Sequence, residues 1–516
     1  MNSLNIRVGR VFLVGAGPGD PGLITVRGAE KLREADVVLH DGLANPAFRS
    51  LTKPHTEWIS VGKHGGERIW KQSEINDAIV VRVRQGKTVV RLKGGDTGIF
   101  ARSAEELERL VLEGIPFEVV PGITAASAAA AYTGIPITHR DWSSAVAFVT
   151  GQQQPSDGGP ETDESSDWEA LAHFPGTLVV YMGVTTASYW SNRLIASGKS
   201  PQTPVALVRR CSWPDQAVIY CELDQVASKL TPASHFRPPV IAIVGPVAHL
   251  GTHYDWFSKR PLFGKTILVT RPEGQAGETV QRLNDLGANV LVQSAIEIHV
   301  LEDFASLDEK LRSLDSYDWI AFTSTNGVEH FFSRLHALGM DGRSLHGSRL
   351  AGVGPSIVTA LARWKMACDL IPNGVHEPFN AMSLANAILR QPSKTPSRCL
   401  VVRTNRGKST IEDILTKAGF HTDSVVAYQT VDAVEVNPEI RRVLQTGKID
   451  SILITSPSAA FNLCTLFGTD LRQAKLVAIS LEVAETLKSH GFMVSKVALQ
   501  SSIDAMIDSL IEDMPH

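Results

Sequence analysis

The sequence predicts an α/β protein. Two observations carry that reading: short apolar runs in the first half each end in a loop of close-approach glycines before a helical stretch, and the second half contains one strand-turn-helix unit in duplicate. At 516 residues the chain exceeds a single core, and about three or four domain-sized units are expected.

The elements follow in order from Val11–Gly22, VFLVGAGPGDPG. Val11 to Val14 reads as a buried strand, and Gly15, Gly17 and Gly19 let the backbone turn and approach a ligand with no Cβ in the way. Pro18 removes an N–H that a dinucleotide-binding loop would offer, so the loop is not that fingerprint. Leu23 to Ala35 has helical spacing with Leu23, Val26, Ala29 and Leu32 on one face, and Asp36 to Leu39 begins a second strand. His40-Asp41-Gly42 ends that strand, where open α/β sheets bind ligands, and Asp41 reads there as an N-cap or a ligand contact. Ile75 to Arg84 is the next helix, and Thr88 to Leu92 the next strand, running into Lys93-Gly94-Gly95-Asp96. Ala104 to Glu113 is a helix and Phe117 to Val120 a strand, after which Pro121-Gly122-Ile123-Thr124 enters an Ala-rich helix. Glycine-bearing loops at separate strand ends of one sheet edge argue for a binding site beyond ordinary turns.

Composition narrows the function classes. With 43% hydrophobic and 20% charged residues and a net charge of −4, the chain has no disordered, nucleic-acid-binding or polybasic membrane character, and an anionic ligand must be met by local Arg and Lys. Cys211, Cys221, Cys368, Cys399 and Cys464 form no CxxC pair, which argues against a disulfide framework or a zinc site and for a reducing, cytoplasmic setting. The opening MNSLNIRVGR lacks the apolar stretch of a signal peptide. Val119 to Thr138 is uncharged, but Pro121 and Pro136 interrupt it, so it reads as loop, buried helix, loop and no membrane span is expected. Gln152 to Asp167 is polar and acidic and reads as a surface loop.

The motifs VGAGPGDPGLIT, DVVLHDGL, VVRLKGGD, IPFEVVPGITAASAAAAYTGIPITHR and TLVVYMG, in this order, resemble the tetrapyrrole methyltransferase family from about Val11 to Gly245. The resemblance implies a fold of two α/β lobes, about 8–137 and 138–248 within a domain of 1–258, with S-adenosylmethionine in the cleft between them. The second lobe would hold the strands Val146–Thr150, Thr177–Met182, Pro204–Val208 and Val240–Val244. It further implies cofactor contacts at Pro18, Gly94, Gly95, Asp96, Thr124, Ala125, Tyr181 and Met182, and a catalytic Asp41 facing the tetrapyrrole. The substrate's carboxylates require cations, for which Lys63, Lys93, Arg102 and Arg140 are candidates, with Lys93 and Arg102 favoured because they flank the glycine loop. The chain departs from the family in having Thr97-Gly98 for a Pro-Phe pair, Ser144 for a common Arg and His40 for a Tyr, changes that bear on substrate contacts.

The second half opens near Lys265 with KTILVT. Asp318 to Ser324 (DWIAFTS) and Asp450 to Ser456 (DSILITS) share their acid-to-Thr-Ser spacing, each followed by a Phe, Phe331 and Phe461. Hydroxyls at the end of a buried strand, just before a helix, present a carboxylate-binding arrangement or two ordinary N-caps. KTILVTRP, YDWIAFTSTNGV, AGVG, LVVRTNRG, VVAYQT and SILITSPSAAFN resemble uroporphyrinogen-III synthases. That resemblance implies a domain of 259–516 with one lobe at about 265–297 plus 430–516 and the other at about 298–429, acting without a cofactor. Tyr428 is then the acid or water-orienting group, or a packed strand aromatic, and Arg271, Thr323, Ser324, Arg403, Arg406, Lys408, Thr455 and Ser456 would bind substrate carboxylates. Ile357 and Glu482 depart from the pattern, Glu482 being repulsive to a polyanion unless it points away.

Together the resemblances imply a bifunctional enzyme of small-molecule tetrapyrrole substrates. The second half would close hydroxymethylbilane to uroporphyrinogen III with ring D inverted. The first would methylate the product twice to precorrin-2, assembling as a homodimer and using no metal. The alternative is a methyltransferase of a different tetrapyrrole or acceptor fused to a non-catalytic tetrapyrrole-binding module.

Overall fold

Among the described residues, twenty strands gather into four five-stranded sheets. The computed structural model describes residues 9–62, 70–152, 167–234, 236–374, 377–392 and 396–512. Lys63 and positions 153–166 of the acidic loop lie outside the described residues.

In the first compact unit, β1 (Arg10–Gly15), β2 (Val37–His40), β3 (Glu57–Ser60), β4 (Thr88–Lys93) and β5 (Phe117–Val120) form a parallel sheet in the order β3-β2-β4-β1-β5. β1 and β4 are central, and their near-continuous burial explains the unbroken apolar runs. Chain leaving β1 travels toward β2 and chain leaving β4 toward β5, in opposite directions, so the loops diverge at a topological switch point. Register places Val14 beside Leu92 and Val120, which brings the three glycine loops out together.

β6 (Val146–Thr150), β7 (Thr177–Tyr181), β8 (Pro204–Arg209), β9 (Ala217–Glu222) and β10 (Val240–Val244) form a mixed second sheet, β6-β7-β10-β8-β9, with β10 antiparallel to both β7 and β8. β3 and β9 have weak, part-exposed patterns and escaped the sequence reading.

Two expectations change. The first helix starts at Val26, capped by Thr25, and runs to Glu34; Val26 is 78% exposed while Gly28, Lys31 and Leu32 face the core. Asp20 caps a separate 3-10 turn, Pro21–Leu23, which shifts the helical face. The unit boundary falls after Lys265, past the expected 258/259. Phe257 and Leu262 are buried, and Trp256 Nε1 donates to Ala131 O at 2.8 Å, so this stretch packs on the first unit.

The second unit takes Thr266–Asp285 and the chain from Val290 onward. Its strands are β11 (Thr266–Val269), β12 (Asn289–Val292), β13 (Ile296–His299), β14 (Trp319–Phe322), β15 (Arg349–Gly352), β16 (Arg398–Thr404), β17 (His421–Asp432), β18 (Ser451–Ile454), β19 (Lys475–Ala478) and β20 (Lys496–Val497). They form one sheet of order β12-β11-β18-β19-β20 and another of order β13-β17-β16-β14-β15. β13 pairs antiparallel with β17 from Ile296↔Asp432 to His299↔Gln429, so both strands run through the expected lobe limits at 297 and 430. The duplicated turns are alike: Ser324 Oγ accepts from Gly327 N at 3.0 Å and Ser456 Oγ from Ala459 N at 3.1 Å. The Phe part of the repeat fails, for Phe331 is fully buried and Phe461 is 51% exposed.

Candidate functional site

A cavity of about 760 Å³ opens in the first unit where the β1, β2 and β4 loops meet the ends of β7, β8 and β10. Pro18, Asp41, Gly94, Gly95, Asp96, Thr124, Ala125, Tyr181 and Met182 all line it. Its size is that of a small-molecule site, and its wall is mostly apolar with a few polar groups.

The loops are tied to one another by backbone groups. Gly17 N donates to Gly95 O at 3.1 Å and Gly95 N to Gly17 O at 2.8 Å. Gly95 has φ +73°, a left-handed geometry suited to glycine, and a Cβ at Gly94 would stand 2.7 Å from Leu43 Cβ. Gly94 N also donates to both Asp41 oxygens, at 3.1 and 3.0 Å, so Asp41 is held by the neighbouring strand's loop. Asp96 accepts from Gly98 N at 2.7 Å and Gly122 N at 2.9 Å, linking the β4 and β5 loops. Both carboxylates thus brace the site as well as line it.

Tyr181 joins the two lobes. Its hydroxyl lies 2.7 Å from Thr124 Oγ1 and accepts from Ala126 N at 2.9 Å, at the start of the Ala125–Thr133 helix. Burial pushes its phenol above the usual range, so it stays protonated. Met182 has φ +53° and is 46% exposed. Cys211 also lines the cavity, and burial pushes its thiol up to about 12, making it a neutral wall and a poor nucleophile.

Of the expected substrate cations, Lys93 is misplaced by the sequence reading. It is only 3% exposed, and its Nζ lies 2.6 Å from Glu106, which also takes Arg91 Nε at 3.0 Å. Strand alternation sends Lys93 beneath the sheet edge, and its desolvation lowers its pKa. Arg102 is exposed and grips Glu105 with two bonds of 2.7 and 2.8 Å. Arg140 is exposed as well. Sequence reasoning missed Arg210, Trp213 and Phe100, all cavity residues. The doubled arginine and tryptophan after the β8 apolar run were the available signal.

In the second unit, Tyr428 on β17 is 4% exposed and its hydroxyl lies 2.9 Å from Ser324 Oγ. The His330 ring stacks on Tyr428 with centroids 5.4 Å apart, and burial depresses its pKa. Thr323 Oγ1 donates to Val402 O at 3.2 Å. Arg403 Nη1 donates to Gly407 O at 3.0 Å and lies 3.3 Å from Glu412, while Arg406 grips Asp432 at 2.6 and 3.0 Å. Lys408 Nζ lies 2.6 Å from Glu482 with both side chains exposed, so the acid feared as repulsive is neutralised by an expected substrate cation. Arg271, half-buried with its pKa lowered by desolvation, belongs with the half-buried Thr455 and the capping Ser456 to the lobe of β11 and β18. Ile357, 1% exposed, is core beneath β15. The structure therefore gathers Thr323, Ser324, Arg403, Arg406, Lys408 and Tyr428 in the lobe of β14, β16 and β17, and places Arg271, Thr455 and Ser456 in the other.

Among the described residues, no helix is long and apolar enough to cross a membrane. Comparison with known proteins matches residues 10–227 to the Tetrapyrrole (Corrin/Porphyrin) Methylases and residues 277–508 to uroporphyrinogen-III synthase HemD. The porphyrin biosynthesis protein HemD of Ruminiclostridium josui is 35% identical over 505 residues, covering 98% of each chain. The uroporphyrinogen-III C-methyltransferase of Bacillus subtilis (strain 168) is 38% identical over 337 residues, 65% of this chain and 68% of that protein. A crystal structure of uroporphyrin-III C-methyl transferase from Thermus thermophilus complexed with S-adenyl homocysteine is 37% identical, covers 47% of this chain and 94% of its own, and aligns with a TM-score of 0.40. Relatedness that spans both halves in the same order makes the chain a member of the enzyme family in which a tetrapyrrole C-methyltransferase is joined to a uroporphyrinogen-III synthase.

Proposed function

We propose that the first unit uses S-adenosylmethionine to methylate uroporphyrinogen III twice, giving precorrin-2, and that the second closes hydroxymethylbilane to uroporphyrinogen III with inversion of ring D. The single observation that supports this most is the meeting of Pro18, Gly94–Asp96, Thr124, Ala125, Tyr181 and Met182 around one cavity. These residues suit the cofactor. The start of the Ala125–Thr133 helix, where Thr124 makes no side-chain cap and Tyr181 takes only Ala126 N, offers N–H groups to a carboxylate tail, the glycines leave room for close approach, and Met182 supplies a polarisable wall.

When bound, the cofactor supplies an electrophilic methyl group on sulfur. The chain contributes alignment and charge placement. Asp41, fixed by Gly94 N–H, keeps free lone pairs toward the cavity; it accepts a pyrrole N–H and stabilises the positive charge that grows on the ring as its carbon becomes the nucleophile. Asp96 and Tyr181 hold the loops and the two lobes in register around that contact. In the second unit the Tyr428 hydroxyl, oriented by Ser324, donates toward the departing hydroxyl of the linear substrate. Arg271, Arg403, Arg406, Lys408, Thr455 and Ser456 act in polyanion binding. The protein works in the cytoplasm and self-associates through its methyltransferase half, which sedimentation of the whole chain would test.

The deciding experiment incubates the whole chain with hydroxymethylbilane, with and without S-adenosylmethionine. The type-III isomer forms without it, and a gain of two methyl groups appears with it. A gain of one methyl, or only the spontaneous type-I isomer, refutes the corresponding half.

A further inference from the structure

The cavity is lined by two carboxylates, Asp41 and Asp96, yet the proposed substrate is a polyanion. Among the described residues, Arg210 is the one Lys or Arg side chain that lines it. We propose that Arg210, presented by a strained turn after β8, is the carboxylate-binding and specificity residue for the macrocycle; this rests on the reading of the cavity as a methyltransferase site.

Geometry carries the assignment. Arg210 and Ser212 both have left-handed backbones, φ +48° and +64°, an arrangement that costs a non-glycine residue energy and persists only when its surroundings demand it. The neighbouring loops supply that demand: Arg210 N donates to Pro239 O at 3.1 Å, and Asp20 N to Ser212 Oγ at 3.0 Å, so the turn is anchored to the β1 loop across the cleft. A Cβ at Gly19 would stand 2.5 Å from the Trp213 ring, which shows how closely the two loops are set.

The guanidinium itself is held in place and only partly used. Its carbon lies 4.3 Å from the centroid of Trp213, another cavity residue, which holds the plane flat. Nε bonds Asp215 at 2.8 Å, and among the described residues the Nη groups have no partner. Asp215 also faces Arg209 Nη1 at 3.5 Å, so one carboxylate serves two guanidiniums and the cluster keeps a surplus positive charge. A planar fork with an idle edge, at the wall of a cavity whose other charged side chains among the described residues are acidic, is matched to a carboxylate. A side-chain carboxylate of the macrocycle engaging the Nη edge orients the ring without touching the cofactor contacts.

The test uses the full chain with Arg210→Gln, Arg210→Lys and Asp215→Asn. Each is assayed for methyl-transfer KM and kcat with uroporphyrinogen III and with a macrocycle of fewer carboxylates, and for S-adenosyl homocysteine affinity by calorimetry. Arg210→Gln raises KM for the eight-carboxylate ring about 10- to 100-fold and erases its preference over the poorer ring, with S-adenosyl homocysteine affinity kept within about twofold. Arg210→Lys recovers part of the loss, and Asp215→Asn, which frees the fork, leaves KM equal or lower. An unchanged KM and preference in Arg210→Gln overturns the assignment while the cofactor reading stands. Parallel loss of S-adenosyl homocysteine affinity also overturns it, because the residue then only shapes the turn. Failure of the unmodified chain to bind S-adenosyl homocysteine sinks the underlying reading and this inference together.

Discussion

In the first unit, residues singled out from separate motifs stand around one cavity, because parallel strands in register deliver their C-terminal loops to the same edge and glycines let those loops touch. In the second unit, the same kinds of strand-end residues are turned to holding the fold: Ser324 and Ser456 cap helices, Arg406 grips Asp432, and Lys408 meets Glu482. A glycine loop has no side chain to satisfy, so what it leaves behind is space. A loop rich in Arg, Ser and Thr satisfies itself before a ligand arrives, so its binding power must be released by exchange of partners.

The sharpest way to break this contrast is Gly122→Ala. The added Cβ would lie 2.3 Å from Gly95 O and 2.8 Å from the Gly15 backbone, with no flexible side chain to yield. The first unit is expected to lose about 3 kcal/mol or more, read as loss of S-adenosyl homocysteine binding in calorimetry and of the first unit's thermal transition. Ring closure by the second unit persists.

Next, Tyr428→Phe lowers ring closure of hydroxymethylbilane about 100-fold while methyl transfer to supplied uroporphyrinogen III is unaffected, measured by isomer analysis and product mass. An unaltered isomer ratio would make Tyr428 a packing residue. Tyr181→Phe removes a hydroxyl that serves Thr124 and Ala126, and cofactor affinity falls about tenfold by calorimetry. Retained affinity would show that the lobes need no such link.

Acid sharpens the comparison further. Burial depresses the His330 pKa in the folded state below its ordinary 6.5. The unfolded chain therefore takes up its proton first as pH falls, and the second unit loses stability below about 6.5. Thermal unfolding of His330→Asn across this range should show a weaker acid dependence than the parent. The smallest effect belongs to Glu482→Gln. Both members of its pair with Lys408 are exposed, so stability changes by under about 1 kcal/mol, while KM for the linear substrate drops two- to threefold as Lys408 is freed.

How legible each region was follows from the same physics. The strand Val240–Val244 could be read to the residue because a buried central strand is a continuous apolar run with glycine and proline at its end. The strand Glu57–Ser60 could not, because an edge strand with a part-exposed face leaves no such pattern. Lys93 looked like a substrate cation because it sits beside Gly94, yet alternation along β4 turns its side chain to Glu106 inside the core. Arg210 was passed over as a site residue, for the Arg209-Arg210 pair and Trp213 were only a weak signal, and its place depends on Pro239 before β10 and on the β1 loop coming to it from distant parts of the chain.

By itself, the sequence determined the α/β class, the two-part organisation and the glycine loops, because local turn chemistry and apolar periodicity are written in neighbouring residues. Only the tertiary structure decided which charges face the cavity and which are spent inside. That choice rests on strand register and on partners such as Glu106, Asp215 and Glu482, contributed by elements far from the residues they bind.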